Sequence, residues 1–284
     1  MPESSNQNFN HLKIHSQYSI CEGAIKIDDL QDFSKSNKIR SLALCDTSNL
    51  CGALEFAEKI SKVGTQPIIG TQINFKYGDC IGLLPLFALN EEGYKRIIKL
   101  SSNSFLENDE LSDPHVDFND LLDDNTGVAI FSGTIFGLFG ELFNKGKFSE
   151  ISDLYKNLKL KFGDRFYIEI QRHNDQNELG FEKFNLTKSL ELEIPIIATN
   201  EVFYINKDMH EAHDALICIG NKTYVNEKSR IRLSNQHYYK SNSEMTELFA
   251  DLPEALENNY NFPLRCNFRP LFSNPILPNI SSEK

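Results

Sequence analysis

Short apolar runs alternate with longer amphipathic segments over most of this chain, and this alternation constrains the fold more than any other feature. The runs have the length of buried strands. Residues 194–199, which read Ile-Pro-Ile-Ile-Ala-Thr, are apolar on both faces, as a buried parallel strand requires. Between the runs, apolar residues recur at the three- and four-residue spacing of an amphipathic helix. The pattern predicts an α/β fold with a largely parallel sheet.

The individual elements can be placed from the same periodicity. Strands are predicted over residues 11–15, 41–45, 67–75, 82–89, 127–132, 165–171 and 194–199. Helices are predicted between them over residues 28–37, 54–63, 91–103, 149–162 and 178–192. No Gly-x-Gly-x-x-Gly follows the first strand, which disfavours an open dinucleotide-binding sheet. Seven such units in about 200 residues predict a distorted (β/α)7 barrel.

The pattern changes after residue 199. Extra helices are predicted over residues 208–219, 243–249 and 253–259, with a polar loop over 221–234. Residues 1–8 are polar and are expected to be disordered, and residues 267–284 are rich in Pro and Ser, as in a linker that leads to a further domain. Because there is neither an 18-residue apolar run nor a signal-peptide pattern, a cytoplasmic protein without a membrane span is expected.

Charge and cysteine usage exclude two classes of site. The chain has 40 acidic against 29 basic side chains and a net charge of −11, so it should bind DNA poorly by itself. The six cysteines are scattered without a Cys-x-x-Cys pair, so neither a zinc knuckle nor a disulfide framework is indicated. Buried or free thiols are the simpler interpretation.

In a β/α barrel the functional site lies at the carboxyl ends of the strands, so polar residues there are the candidates. Strict alternation would place His11, Lys13 and His15 on one face of the first strand. The carboxylates that can join them are Glu22, Asp46 and Glu201. By itself, such a histidine pair is more often packed or hydrogen-bonded than bound to a metal, and both interpretations stay open at this point.

The remaining histidines are predicted in loops or in the later helices, where solvated or capping roles are expected. They are His115, His173, His210, His213 and His237. No His-Glu-x-x-His spacing accompanies them, so the sequence alone indicates no zinc site among them.

Several motifs occur together in one order. The first three begin at His11 (His-Leu-Lys-Ile-His-Ser-Gln-Tyr-Ser), Cys45 (Cys-Asp-Thr-Ser-Asn-Leu-Cys-Gly-Ala-Leu-Glu-Phe) and Gln66 (Gln-Pro-Ile-Ile-Gly). Later segments begin at Asn90, Ser132, Glu169, Ala198, Ala212, Glu244, Arg265 and Pro275. Over residues 9–279 this series resembles the N-terminal PHP (polymerase and histidinol phosphatase) domain of bacterial DNA polymerase III α subunits.

The resemblance implies a PHP-type barrel over residues 9–266 within a DNA-directed DNA polymerase, a nucleotidyltransferase of DNA replication. It implies no catalytic residue in this chain, because the polymerase aspartates, and the Mg²⁺ that they use, would belong to absent domains. The implied partners are the proofreading exonuclease subunit, the sliding clamp, other replicase subunits and template DNA bound through those absent domains. No cofactor is expected for this domain itself.

The departures from metal-bearing PHP domains bear on the site. Positions that hold metal ligands in such domains are here Lys13, Thr47, Gln72, Leu83, Thr134 and Phe203. The ligand positions that remain are His15, Glu22 and Glu201. Three ligands with Asp46 beside them cannot sustain a trinuclear site. We therefore expect a vestigial, metal-free cluster, made of His11, Lys13, His15, Glu22, Asp46 and Glu201.

Within that cluster Lys13 is expected to replace the metal as the cation that neutralises some of Glu22, Asp46 and Glu201. A structural and docking domain is the function that these departures favour. The alternatives are a metal-dependent 3′–5′ exonuclease or phosphoesterase, and a free-standing enzyme similar to histidinol phosphatase.

Overall fold

A computed structural model describes residues 8–108, 112–230 and 232–274. Its strands are β1 (Lys13–Ile14), β2 (Ser41–Thr47), β3 (Gln66–Tyr77), β4 (Cys80–Ala88), β5 (Val116–Asp117), β6 (Val128–Phe131), β7 (Phe166–Ile170), β8 (Ile196–Ala198) and β9 (Glu201–Val202). Its α-helices are α1 (Ile27–Asn37), α2 (Ala53–Lys62), α3 (Glu91–Leu106), α4 (Phe118–Asp123), α5 (Leu138–Asn144), α6 (Phe148–Phe162), α7 (Glu178–Leu192), α8 (His210–Gly220), α9 (Asn242–Leu248) and α10 (Pro253–Asn261).

The strands form one sheet in the order β8-β7-β6-β4-β3-β2-β1-β9, with β5 paired to β3. Strand β8 ends at Ala198 and β9 begins at Glu201, although the two strands lie at opposite ends of this order. Three residues of extended chain reach about 11 Å at most, so the sheet has to curl until its two ends are neighbours. The predicted distorted barrel is confirmed, and α8, α9 and α10 are its extra C-terminal helices.

The alternation of strand and helix is interrupted between β3 and β4. These strands form an antiparallel hairpin in which Tyr77 pairs with Cys80, and β4 is also antiparallel to β6. Gly78 has a φ of +60°, the left-handed conformation that glycine adopts readily in a two-residue hairpin turn. The barrel is therefore parallel only in part, with a hairpin where the sequence analysis counted two of its seven β/α units, and the Gly-Asp pair after β3 was the signal for that turn.

The interior of the barrel is filled by apolar side chains from most of its strands. They are Leu12, Ala43, Cys45, Ile68, Phe87, Leu89, Ala129, Phe131, Tyr167 and Ile197, with Phe262 and Cys266 from the segment after α10. Phe262 packs edge-on against Phe87, Phe131 and Tyr167, so it closes one end of the barrel.

Asn259 of α10 joins the two ends of the sheet. Its fully buried amide donates to the carbonyl oxygens of Asn10 and Ala198, both at 2.9 Å, and accepts from the amide nitrogen of Asn10 at 2.8 Å. Asn10 precedes β1 and Ala198 ends β8, so one side chain satisfies backbone groups that an open sheet would leave unpaired.

The other sequence predictions hold with small shifts at the ends of elements. Helices α4 and α5 were missed because six or seven residues are too few for a periodic signal. The predicted disordered segment 1–8 lies outside the described residues except for Asn8. Of the predicted linker 267–284, residues 267–274 form neither helix nor strand, and the rest, with the motif at Pro275, lies outside the described residues.

Within the described part of the chain, no helix is both long and apolar enough to cross a membrane.

Candidate functional site

A cavity of about 340 Å³ opens where β2 ends and the loop after β6 begins. Its polar side chains are those of Glu22, Thr47, Gln72, Thr134, Glu201, Asn221 and His237. Its larger apolar side chains are Ile20, Leu83, Phe136, Phe203, Ile217 and Leu233. The positions at which the sequence departs from metal-bearing PHP domains thus meet in one cavity, except for Lys13, which lies behind it.

Lys13 forms the centre of a buried charge cluster beneath the cavity. Its Nζ lies 3.2 Å from Oε1 of Glu201 and 3.5 Å from Oε1 of Glu169, and its side chain is fully buried. Because Lys13 is on β1 and Glu169 on β7, each next to an end strand of the sheet, the Lys13–Glu169 pair also joins the two sides of the curled sheet. The ammonium group is the cation that holds these carboxylates inside the barrel.

Burial and charge act in opposite directions on the three groups of this cluster. Burial disfavours the ammonium form of Lys13, but Glu169 and Glu201 raise its pKa above the usual value. Burial likewise opposes ionisation of Glu201, and Lys13 with His15 nevertheless holds the pKa of Glu201 well below its usual range. Burial raises the pKa of Glu169, with Lys13 opposing it. The pair that stays ionised most firmly is therefore Lys13 with Glu201.

Glu201 has further polar partners around the same oxygen. Its Oε1 accepts from Nε2 of Gln72 at 2.6 Å and lies 3.1 Å from Nε2 of His15. On the other side of the ring, Nδ1 of His15 lies 3.2 Å from the Ser19 hydroxyl, which itself donates to Asp46. His15 is thus a hydrogen-bonded core residue, oriented from both sides.

Two carboxylates that were predicted to pair with Lys13 have other partners. Asp46 accepts from the backbone amide of Ser16 at 2.6 Å and from the hydroxyls of Ser16 and Ser19, both at 2.8 Å. Glu22 lies at the cavity rim, where its Oε2 accepts from the Thr47 hydroxyl at 2.6 Å. The expected network of Lys13 with carboxylates is therefore built on Glu201 and on Glu169, which was not among the candidates.

His11 does not face the cluster, so the prediction that it shares a face with Lys13 was wrong. Its ring packs on Tyr239 at a centroid distance of 3.9 Å, and its Nε2 donates to the carbonyl of Lys240 at 2.8 Å. Burial lowers the pKa of His11 to about 3, so the ring is neutral. Leu12 already points into the barrel, so regular alternation begins only after it and does not extend back to His11.

Three of the later histidines are buried rather than solvated: His173, His213 and His237 are between 1% and 3% exposed. Nε2 of His213 donates to the backbone carbonyl of Glu22 at 2.8 Å and so helps to hold the cavity rim. Glu169 carried a signal that sequence analysis passed over, because it is a charged residue inside the apolar run Phe-Tyr-Ile-Glu-Ile. His237 carried none, since its loop reaches the site only through the tertiary fold.

His173, Asp175 and His237 are close enough to raise the question of a metal, because one ligand atom of each lies within 4.8 Å of the others. The two imidazole rings are parallel within 3° and stacked at 4.1 Å. An imidazole nitrogen binds a metal near its ring plane at about 2 Å, so two stacked parallel rings cannot both direct a lone pair at one ion. The contacts made are hydrogen bonds, from His237 to Asp175 at 3.0 Å and from His173 to Asn200 at 3.1 Å.

Comparison with known proteins agrees with the motifs. The family model described as "PHP domain" matches residues 11–173, more than half of the chain. The chain belongs to the PHP domain family. The match spans β1 to the end of β7, so this PHP domain contains most of the barrel and the Lys13 cluster apart from Glu201.

Curated relatives of this PHP domain are named DNA polymerase III subunit alpha. The protein from Rickettsia conorii is 38% identical over 97% of this chain, and that from Caulobacter vibrioides is 35% identical over 98%. These alignments cover 23% and 25% of the two relatives, so the chain spans about a quarter of their length. A solved amidohydrolase from Chromobacterium violaceum is 10% identical, with a TM-score of 0.48 over 73% of this chain and 96% of its own.

The residues of this PHP domain do not fit a multinuclear metal site. Leu83 and Phe203 offer no donor atom, and Thr47, Gln72 and Thr134 offer only neutral oxygens in place of imidazoles and carboxylates. Oε1 of Glu201 is already surrounded by Lys13, His15 and Gln72. An ammonium group within about 4 Å of a divalent ion would repel it by roughly 8 kcal/mol at an effective dielectric constant near 20.

Proposed function

We propose that this chain is a structural and docking domain of a replicative DNA polymerase III α subunit, with a barrel centre that holds an ammonium group instead of metal ions. The observation that carries the proposal is the position of Lys13, which lies within 3.5 Å of both Glu201 and Glu169 and is fully buried. A cluster of this kind stabilises a fold but offers no water or hydroxide to attack a phosphoester.

In this proposal the polymerase reaction belongs to the parent subunit, which transfers nucleotides to DNA with Mg²⁺ in domains beyond this chain. The relatives support it, because the similarity covers 97% and 98% of this chain but only 23% and 25% of the two relatives. The domain would work in the cytoplasm as part of the replicase, next to the proofreading exonuclease subunit and the other replicase subunits. Its net charge of −11 suits contact with proteins better than with the DNA backbone.

The docking role is tested by mixing the purified 284-residue chain with the proofreading exonuclease subunit of the same organism. Size-exclusion chromatography with light scattering should show a complex whose mass is the sum of one copy of each. The parent α subunit is the positive control. If the parent subunit forms the complex while this chain elutes alone, the docking role is refuted.

The non-catalytic centre is tested with a phosphodiester substrate and a 3′-labelled single-stranded DNA in the presence of Mg²⁺, Mn²⁺ or Zn²⁺. The wild-type chain should hydrolyse neither substrate faster than a Glu201→Gln variant. Metal-dependent hydrolysis that disappears in Glu201→Gln would establish the alternative, a phosphoesterase or exonuclease, and refute the metal-free centre.

A further inference from the structure

The opening of the cavity is bordered by exposed apolar side chains. Ile20 and Phe136 line the cavity, and yet 82% and 50% of their surface is exposed. Leu83, Ile217 and Leu233 also line it. Single exposed apolar residues are ordinary on a protein surface, but a group of them that shares one cavity is typical of a binding site. The volume of about 340 Å³ can receive one large apolar side chain of a partner.

Several polar side chains of the cavity already have partners within the protein. The Thr47 hydroxyl donates to Glu22 at 2.6 Å, and Gln72 donates at 2.6 Å to the carboxylate beneath the cavity. The hydroxyl oxygen of Thr134 accepts from the backbone amide of Phe136 at 3.1 Å. An apolar side chain would therefore cover these groups without breaking their hydrogen bonds, and the burial of the apolar wall would stabilise the complex.

A loop with positive charge, the basic loop (residues 222–232), borders the same cavity. The residues just before and just after it, Asn221 and Leu233, both line the cavity. The basic loop has four basic residues and one acidic residue, in a chain whose net charge is −11. Lys222 and Lys228 are exposed, and neither has an ion-pair partner among the described residues. Positive charge without a counter-charge thus stands beside the apolar wall.

Arg230 fixes the shape of the basic loop. Its guanidinium group donates to both carboxylate oxygens of Asp214 at 2.6 Å, and the two side chains are only 6% exposed. It also donates to the carbonyl oxygen of Val225 at 3.1 and 3.2 Å. Because Asp214 belongs to α8, the ion pair ties the loop to that helix, while Tyr224 and Val225 remain 74% and 56% exposed. A loop that is ordered in advance loses less conformational entropy when a partner binds.

We propose that the cavity opening, formed by Ile20, Phe136 and the basic loop, docks a segment of a partner protein in which a large apolar side chain is flanked by acidic residues. The apolar side chain would enter the cavity, and the acidic residues would lie against the lysines and Arg232 of the basic loop. Glu22 carries the opposite charge at the rim, so the acidic residues would approach from the basic loop. A protein segment is favoured over a nucleic-acid strand because the cavity wall is apolar and the chain as a whole is acidic. The inference rests on the proposed docking function and gives it a surface.

The test is a titration of the chain, labelled with ¹³C in its Ile, Leu and Val methyl groups, with the capped peptide Glu-Asp-Leu-Phe-Glu-Asp. Saturable shifts are expected for Ile20, Leu83, Val225 and Leu233. The matched neutral peptide Gln-Asn-Leu-Phe-Gln-Asn should bind about five- to tenfold more weakly at low salt, and this difference should shrink at high salt. An acidic peptide with Ser-Gly in place of Leu-Phe should also bind at least about fivefold more weakly. Absence of shifts, or equal affinity for the three peptides, would overturn the proposal.

Variants at exposed positions separate the role of the apolar wall from that of charge. Ile20→Ser should raise the dissociation constant of the acidic peptide at least about fivefold, while the matched Leu160→Ser, 81% exposed on α6, should leave it unchanged. Lys228→Gln should raise it about threefold, while the exposed Lys161→Gln on α6 should not change it. Glu22→Gln removes the opposite charge and should not raise it. An unchanged constant in Ile20→Ser or Lys228→Gln, or an increase in Glu22→Gln, contradicts the proposal.

Two further measurements identify what has failed if the peptide does not bind as expected. Tighter binding of an oligodeoxythymidine of about 12 nucleotides than of the acidic peptide would make the basic loop a nucleic-acid surface and refute the proposal. If the exonuclease subunit forms a complex with this chain while the acidic peptide does not bind, this docking surface is refuted and the docking function stands. If the peptide binds while the exonuclease subunit binds only the parent subunit, the docking role with that subunit is refuted and the surface stands.

Discussion

Replacement of Lys13 by methionine removes the only ammonium group in contact with Glu169 and Glu201 among the described residues and leaves the packing nearly unchanged. At separations of 3.5 and 3.2 Å, each ion pair is worth about 5 kcal/mol at an effective dielectric constant near 20. The cost of burying the ammonium group offsets much of this attraction. Removing one partner of a buried pair typically costs about 3–5 kcal/mol, and we expect that loss in the free energy of unfolding near pH 8.

The loss should depend on pH in a defined direction. Burial already raises the pKa of Glu169, and Lys13 is the largest influence that lowers it. Without Lys13 that pKa rises further. A carboxyl group whose pKa is raised by folding contributes stability below its unfolded pKa and loses it as pH rises through the folded pKa. The deficit of Lys13→Met should therefore be smaller near pH 5 than near pH 8.

The assay is urea denaturation of both chains, followed by far-ultraviolet circular dichroism at the two pH values. Lys62→Met is the matched control, because Lys62 forms an exposed pair with Glu58 and should cost less than about 1 kcal/mol. Adding Glu169→Gln to Lys13→Met should recover part of the loss, since one uncompensated carboxylate is then gone. A Lys13→Met chain with the denaturation midpoint of the wild type at pH 8 would refute the interpretation of Lys13 as the structural cation.

Further predictions concern the closure of the barrel, the hairpin and the buried imidazole. Asn259→Ala should lower the free energy of unfolding by about 2–4 kcal/mol because it leaves buried backbone groups unpaired. The control Asn261→Ala, at an exposed position, should change it little. Equal denaturation midpoints for the two variants would contradict this prediction. Gly78→Ala should lower the free energy of unfolding by about 1 kcal/mol because of its positive φ. Gly82→Ala should lower it clearly more, since a Cβ there would lie 2.5 Å from the backbone of Leu138. The reverse order of the two variants in thermal melts would be inconsistent with the hairpin. Burial lowers the pKa of His11 to about 3, so its contribution to stability is complete above about pH 6.5 and is lost as pH falls, by about 1.4 kcal/mol per pH unit. His11→Phe should therefore flatten the dependence of the unfolding free energy on pH between 6.5 and 4. An unchanged slope would show that His11 is not buried in its neutral form.

In the proposed metal-free centre, the ammonium group of Lys13 would take the part that metal ions have for carboxylates that converge inside a barrel. Its Nζ lies within 3.5 Å of Glu169 and Glu201, while Leu83 and Phe203 form part of the apolar wall of the cavity. Under this proposal the barrel keeps its shape without metal ions.

The sequence by itself determined the α/β class, the position of most helices and the membership of the family. Those features depend on local periodicity and on motifs that are contiguous in the chain, so they can be read without knowing which segments meet. The same holds for Lys13 as the unusual cation, because a lysine that is buried within a short apolar strand requires a carboxylate partner.

Only the tertiary structure decided which carboxylates form ion pairs with Lys13 and which side chains line the cavity beside them. Glu169 and Lys13 are 156 positions apart in the chain and meet because the ends of the sheet curl together, which no local pattern encodes. His11 leaves the cluster because alternation does not hold throughout a strand as short as β1, and His237 joins the cavity from a loop. Long-range packing sets these distances. Contacts of this kind form only in the closed barrel, so the sequence alone could not define the site.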